Sequence, residues 1–363
     1  MPADAPETAP LTPVRKLSRA DIPVFARTVA IGVTGGALFN YLDLPLAWMM
    51  GAMVATALAT LGRLETNMDS RLRTGMIIVL GVLLGSAFSP DILDRITLWP
   101  ITLAALVVYV LVSTIAAFLY FHLVAGFDRN TAFFAGVPGG LNEMIVLAQT
   151  FGGDDRQVSV AHSTRIFLVV MTLPFMFRAL EDFETGLRTF GKGDVALGLV
   201  DVALLGASAV VGLYGAKLLR IPAPHLAGPM IASATVHLTG LTAAAPPVLL
   251  VAGAQVILGA SVGARFAGLT FRDLGRILRL GGVATLLLLS ISALFALVLQ
   301  AITGIPFAPL VLAFSPGGFT EMSLVALAMN IDTAFVATHH IARISVVVIL
   351  VPLLFRILIG RDP

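Results

Sequence analysis

The chain has 363 residues, of which 58% are hydrophobic and 12% are charged, with no cysteine and a formal net charge of +2. Soluble domains carry about 25% charged residues, so this chain has too few charges to cover a water-facing surface of its size. The composition excludes a soluble enzyme, a disordered regulator and a nucleic-acid-binding domain, and it favours a polytopic membrane protein. The absence of cysteine also excludes disulfides, thiolate nucleophiles and sulfur-ligated metal sites.

Residues 1–20 are rich in proline, alanine and acidic residues and then basic, without the apolar core of a signal peptide, so we expect a mobile cytoplasmic tail. Ten apolar segments follow, with lengths suited to helices that cross a bilayer. They lie near 22–41, 45–62, 74–89, 98–126, 156–178, 195–216, 224–243, 246–264, 280–303 and 334–356. The segments lack the two-residue alternation of barrel strands, so we predict an all-α polytopic membrane protein.

A shorter stretch precedes the last apolar segment of each set of five, at about 130–152 and 308–330. Each is interrupted by a proline followed by two glycines, Pro138-Gly139-Gly140 and Pro316-Gly317-Gly318. Proline removes a backbone donor and glycine loosens the backbone, so both stretches are predicted to be broken helices. The N-terminus of a half-helix attracts anionic groups; the alternative use of these glycines is close helix packing.

The two sets of segments are copies of each other. The stretch Val137–Met144 (VPGGLNEM) aligns with Ser315–Met322 (SPGGFTEM) at an offset of 178 residues. The same offset relates three polar residues that follow each motif: Asp154, His162 and Arg165 match Asp332, His340 and Arg343. We therefore predict a tandem duplication, with membrane repeats at 21–180 and 195–358.

The basic residues predict the orientation of the repeats, because cytoplasmic loops carry an excess of lysine and arginine. If each broken stretch dips into the membrane and returns, each repeat has five spans and the second repeat is inverted. In that case 16 of the 20 lysines and arginines outside the spans lie in the cytoplasm and 4 lie on the opposite side. If the broken stretches cross the membrane and the repeats are parallel, 12 lie in the cytoplasm and 8 on the opposite side. We predict inverted repeats with a cytoplasmic N-terminus, a plan shared by many secondary transporters. The charge count leaves open which element fails to cross, and the glycine-rich first segment is the alternative to the broken stretch.

Charged side chains at membrane depth mark the predicted solute- or ion-binding site, because charge in a bilayer is costly. Glu143 and Glu321 are candidates for carrying protons or cations, with Arg165 and Arg343 as their counter-charges. The alternatives are glutamates that cap half-helices and arginines in structural ion pairs. The predicted site comprises Pro138, Gly139, Gly140, Asn142, Glu143, His162, Arg165, Pro316, Gly317, Gly318, Thr320, Glu321, His340 and Arg343.

Other polar residues have simpler interpretations. His162 and His340 share a helix face with the arginines three residues later, as core residues or as titrating groups. Asp154 and Asp332 are predicted helix N-caps. We predict close helix packing at Gly81, Gly85, Gly259 and Gly263. The six histidines lack metal-ligand spacing, and nucleotide-binding and nucleophile motifs are absent, so we expect no metal, no cofactor and no enzymatic activity.

The paired Pro-Gly-Gly-x-x-Glu-Met motif, followed by aspartate, histidine and arginine, resembles the AbrB-type membrane protein family of bacteria. The resemblance covers nearly the whole chain beyond the tail. It implies a tandemly duplicated membrane unit, related to cation–proton antiporters and bile-acid-type symporters with broken core helices. The family is described as a membrane-bound regulator of gene expression, and some members carry the label ammonia monooxygenase.

The residues argue against two of these descriptions. A copper monooxygenase needs clustered histidine ligands, and this sequence has no such cluster beyond His339-His340. Direct DNA binding needs a DNA-binding motif, and none is recognisable.

We therefore expect a bacterial inner-membrane protein that is an ion-coupled secondary transporter of a small solute. The alternative is a membrane-embedded sensor that influences gene expression without transport. The expected partners are the lipid bilayer and a small solute or ion, without direct nucleic-acid contact, and homo-oligomer formation is left open.

Overall fold

The computed structural model describes residues 14–15, 21–88, 96–181, 197–269 and 271–360. Within these ranges the only strands are β1 (Val14–Arg15) and β2 (Met68–Asp69), which form a short parallel pair. The rest of the predicted tail lies outside the described residues, as does most of the predicted connection between the repeats. The predicted all-α fold class is confirmed.

The described residues contain fourteen α-helices, and the second seven repeat the order of the first seven. The first seven are α1 (Ile22–Tyr41), α2 (Ala47–Leu61), α3 (Ser70–Gly85), α4 (Trp99–Leu119), α5 (Arg129–Gly136), α6 (Leu141–Thr150) and α7 (Asp155–Glu181). The second seven are α8 (Leu199–Leu218), α9 (Pro224–Leu238), α10 (Val248–Gly263), α11 (Phe271–Thr303), α12 (Phe307–Phe314), α13 (Phe319–Ala328) and α14 (Thr333–Leu358). Each predicted apolar segment coincides with one of these helices.

Seven of the helices are long and apolar enough to cross a bilayer by length and composition: α1, α4, α7, α8, α10, α11 and α14. The other three predicted spans, α2, α3 and α9, have 15, 16 and 15 residues. At about 1.5 Å per residue these helices reach roughly 22–24 Å, which is less than the hydrocarbon core of about 30 Å. The chain is therefore a polytopic membrane protein in which three of the ten predicted spans are short.

Close contacts between glycines hold the first two helices of each half together. Gly35 of α1 lies against Gly51 of α2, and Gly212 of α8 lies against Gly228 of α9. A Cβ at any of these positions would overlap the backbone of the neighbouring helix. Only glycine therefore allows the backbones to approach this closely.

A second set of glycines joins the two halves to each other. Gly81 and Gly85 of α3 lie against the backbone of α9, and Gly259 and Gly263 of α10 lie against the backbone of α2. The predicted close packing at these four glycines is confirmed. Because each third helix packs on the second helix of the other half, the two halves interlock.

The broken element of the first half, α5 and α6, folds back on itself. Asn130 near the start of α5 donates from Nδ2 to the carbonyl of Phe151 after the end of α6, at 2.7 Å. The N–H of Asp154 donates to Oγ1 of Thr131 at 2.8 Å. The two ends of the element thus lie side by side, as in a hairpin rather than a straight crossing. The equivalent pair α12 and α13 has the same lengths, 8 and 10 residues, and the inversion of the repeats stays a prediction.

Large buried aromatic residues pack at the ends of the helices that precede the breaks. Tyr109 of α4 shares a hydrogen bond with Ser292 of α11, at 3.1 Å between the hydroxyl oxygens. Its ring packs edge-on against Phe314 at the end of α12, with ring centroids 5.4 Å apart. Phe133 and Phe134 are buried at the corresponding end of α5. These contacts fix the two helix ends that precede the breaks.

Candidate solute-binding cavity

A cavity of about 330 Å³ lies where the two broken elements meet. Ten of the fourteen predicted site residues line it, five from each half: Gly139, Gly140, Asn142, Glu143, Arg165, Gly317, Gly318, Thr320, Glu321 and Arg343. Its volume falls within the range of about 300–1,000 Å³ that is usual for small-molecule sites. The other four predicted residues, Pro138, Pro316, His162 and His340, do not line the cavity.

The two histidines instead tie each final helix to the helix before the break. His162 Nε2 lies 2.8 Å from the carbonyl of Phe134, and His340 Nε2 lies 2.9 Å from the carbonyl of Leu312. Because a carbonyl only accepts, Nε2 is the donor in both contacts. The last carbonyls of a helix lack intrahelical partners, so His162 satisfies a group that the first break leaves open. The carbonyl of Leu312 accepts from Ser315 as well as from His340. Both rings are fully buried, which favours a structural role.

The two arginines also bind backbone carbonyls at the breaks. Arg165 Nη1 donates to the carbonyl of Val137 at 3.2 Å, and its Nη2 lies 3.0 Å from His162 Nδ1. Arg343 donates from Nη1 to the carbonyl of Ser315 and from Nη2 to that of Gly317, the latter at 2.7 Å.

The predicted pairing of these arginines with Glu143 and Glu321 is wrong as a direct contact. Within the described ranges neither arginine lies within 4 Å of a carboxylate. The physical reason is the broken backbone, since the C-terminal end of a half-helix carries a partial negative charge that attracts a cation. The carbonyls before the break therefore take the place predicted for the glutamates.

Glu143 and Glu321 each lie three residues after the glycine that precedes a half-helix. Their carboxylates fold back so closely that a Cβ on Gly140 or Gly318 would collide with them. The N-terminus of a helix carries a partial positive charge, which stabilises a carboxylate in the first turn. This position is consistent with the capping alternative, while both carboxylates also line the cavity and stay available to a bound solute or ion.

Three ionisable residues that line the cavity were missed by the sequence reasoning: Arg73, His225 and Arg265. Arg73 lies in the first turn of α3 and interacts electrostatically with Glu321 and Glu143, while Arg265 follows α10 and interacts with Glu321. In the five-span arrangement predicted from the sequence, both arginines count among the sixteen cytoplasmic cations. The equivalent position in the other half is not an arginine in either case, so the duplication did not point to these two residues.

The two breaks differ in exposure. Glu143 is exposed, whereas Glu321 is 8% exposed. Eight of the ten residues of α13 are buried, but only Met144 and Ala148 of α6 are. The first break is therefore the more exposed of the two in this arrangement.

The remaining predictions concern residues outside the cavity. Asp154 Oδ1 accepts from the N–H of Gln157 at 2.9 Å, and Asp332 Oδ1 accepts from that of Phe335 at 3.0 Å, so the predicted N-caps are confirmed. His339 lies away from the cavity and shares a hydrogen bond of 2.8 Å with Thr102. In the part of the chain that is described, no group of three or more histidine, aspartate or glutamate side chains is arranged to hold a metal.

The fold and the cavity define a polytopic all-α membrane protein with two matched broken helices. The chain belongs to the AbrB family, whose model, described as "Transition state regulatory protein AbrB", matches residues 48–359. The family predicted from the paired motif is thus confirmed.

The chain is similar to "Uncharacterized protein YhjN" of Bacillus subtilis (strain 168), with 26% identity over 353 residues, 91% of this chain and 92% of that protein. It is also similar to "Putative regulator AbrB" of Escherichia coli (strain K12), with 26% identity over 337 residues, 90% of this chain and 93% of that protein.

Proposed function

We propose that this protein is an ion-coupled secondary transporter of a small solute. The observation that carries the proposal is the shared cavity, to which two equivalent breaks contribute matched residues. A break at membrane depth is tolerated where it is buried in protein or lines a cavity. Transporters built from internal repeats bind their solutes between such breaks, at the interface of the repeats.

The residues of the cavity suggest a division of roles. Glu143 and Glu321 carry the coupling proton or cation, because a carboxylate changes charge when it binds either one. The Gly-Gly backbones form the cradle for the solute, since they leave backbone groups accessible. Arg165 and Arg343 hold the breaks in shape and add positive charge.

The unequal exposure of the breaks supports alternating access. In the described arrangement Glu143 is exposed and Glu321 is buried. Because the two halves have nearly the same local design, an arrangement with the opposite exposure is expected to have a similar free energy. Exchange between the two arrangements would open the same cavity to either side of the membrane in turn.

Flux measurements test the proposal. The purified chain is reconstituted into vesicles that contain a pH-sensitive dye, and solutes of varied charge are added outside. We expect at least one solute to drive proton or cation flux. Glu143→Gln and Glu321→Gln each abolish that flux, whereas Glu65→Gln, an exposed carboxylate outside the cavity, leaves it unchanged. An absence of flux across the whole panel, or unaltered flux in both cavity variants, contradicts the proposal.

The proposed location is the bacterial inner membrane with a cytoplasmic N-terminus, and no enzymatic activity is proposed. Reporter fusions test the orientation. A reporter inserted at 181–194, between the repeats, is expected on the side opposite to the N-terminus. Its appearance in the cytoplasm would overturn the inverted arrangement.

A second candidate function is a membrane-embedded regulator that influences gene expression without transport. The family description and the name of the Escherichia coli relative favour this candidate. It predicts a cytoplasmic protein that binds this chain and receives a signal from it. Co-purification of one defined partner, together with an absence of flux, would favour the regulator over the transporter.

A further inference from the structure

The charges that line the cavity do not balance. Four arginines face two glutamates, which gives a net charge of +2 with histidine neutral; the six residues are Arg73, Arg165, Arg265, Arg343, Glu143 and Glu321. Unbalanced charge in a site of low dielectric constant is unfavourable unless a bound ion neutralises it. The excess therefore favours a solute with two negative charges.

The arginines keep hydrogen-bond donors free. Arg73 and Arg265 make no side-chain hydrogen bond or ion pair within the described parts of the chain, and both residues line the cavity. The Nε atoms of Arg165 and Arg343 are buried and have no partner, although these residues are only 6% and 3% exposed. Buried donors are almost always hydrogen-bonded, so these atoms indicate a missing acceptor.

Further donors point to the same kind of ligand. The hydroxyl of Ser163, a buried residue that lines the cavity, also has no partner among the described residues. The N-cap glycines of the half-helices α6 and α13, Gly140 and Gly318, both line the cavity. The free N–H groups at a helix N-terminus bind anions.

We infer that the cavity binds a small organic dianion, such as a linear dicarboxylate, as its solute. The inference rests on the proposed function, because it names the solute class of the same cavity. Arginine binds carboxylates with particular strength and geometry. The half-buried Arg73 and Arg265 contact one carboxylate, while the buried Arg165 and Arg343 attract the other.

Binding measurements on the full chain in lipid nanodiscs test this inference. The probes are linear dicarboxylates of three to six carbons, the matching diamides, inorganic phosphate and a linear diamine. We expect at least one dicarboxylate to bind, and its diamide to bind at least about 100-fold more weakly, since two charge-assisted contacts are lost. Binding of no dicarboxylate, or tighter binding of a diamide, phosphate or the diamine, overturns the inference.

Charge variants locate the site. Arg73→Gln and Arg265→Gln are each expected to weaken binding of the dicarboxylate about tenfold or more. Arg71→Gln is the matched control, because Arg71 lies two residues from Arg73 in α3 but is exposed and does not line the cavity. An equal loss of affinity in Arg71→Gln would show that surface charge causes the effect and would refute the site.

The inference and the proposed function fail in different ways. Dicarboxylate binding that depends on Arg73 and Arg265, without flux in vesicles, supports the anion site and contradicts transport. Flux that depends on Glu143 and Glu321 with a neutral or cationic solute, but not with any dicarboxylate, supports transport and contradicts the anion site.

Discussion

The two breaks of the molecule share their internal contacts and differ in their surroundings. In both, a histidine and an arginine three residues apart bind carbonyls before the break, and a glutamate folds over the glycine after it. Yet α6 is largely exposed, while α13 is almost entirely buried. The shared contacts follow from the duplicated sequence, whereas the exposure depends on which helices of the other half cover each break. The comparison shows that the contacts within a break and the exposure of that break have different origins.

The largest difference between the two breaks is expected in the loss of stability when their arginines are replaced. Arg343 satisfies two carbonyls and Arg165 satisfies one, with His162 as its second partner. An unsatisfied buried carbonyl costs about 1–3 kcal/mol, so we expect Arg343→Met to destabilise by roughly 2–6 kcal/mol and Arg165→Met by roughly 1–3 kcal/mol. Thermal unfolding in detergent measures the difference.

The control for this pair is Arg178→Met, because Arg178 donates to the carbonyl of Asp43 in an exposed contact. We expect little change in its unfolding temperature. If Arg165→Met destabilises more than Arg343→Met does, the number of satisfied carbonyls does not determine the stability of the breaks.

The second-largest difference between the breaks is expected in how fast a water-soluble reagent reaches them. Asn142 and Thr320 occupy equivalent positions on the cavity wall, but Asn142 is exposed and Thr320 is half-buried. Because the chain has no cysteine, Asn142→Cys and Thr320→Cys each introduce one thiol without further changes. We expect a water-soluble maleimide to label position 142 about tenfold faster than position 320. Equal rates would contradict the difference in access.

The glycines next to the glutamates should show the smallest effect. Alanine at either position would collide with the glutamate carboxylate. Glu143 has open space to move into, whereas Glu321 is buried, so we expect Gly318→Ala to destabilise by about 1–2 kcal/mol and Gly140→Ala by less than about 0.5 kcal/mol. Unfolding temperatures of the two variants provide the measurement, and equal losses would indicate that Glu321 has as much room as Glu143.

Much of the fold was predictable from the sequence. The offset of 178 residues relates the paired motifs and the final helix of each half, and hydropathy located every predicted span. The convergence of the breaks on one cavity followed from the duplication and the charged residues beside each break. These features depend on local sequence patterns, which a single chain displays directly.

The rest depended on packing between distant helices. Arg73 and Arg265 reach the cavity because the start of α3 and the end of α10 form part of its wall, and no local pattern contains that information. The carbonyl partners of Arg165 and Arg343 were missed because opposite charges were expected to pair, although the broken backbone offered nearer acceptors. The difference between Glu143 and Glu321 has no counterpart in their nearly identical motifs.

A reversible cross-link between the two breaks tests the central claim most directly. In the double variant Asn142→Cys, Thr320→Cys, a short cleavable bis-maleimide is expected to join the two thiols within one chain. Solute-driven flux in vesicles should stop when the link forms and return when it is cleaved, because both residues line the cavity that we propose as the solute pathway. Flux that continues unchanged in the cross-linked protein, or a failure of the two thiols to be joined, would contradict the account.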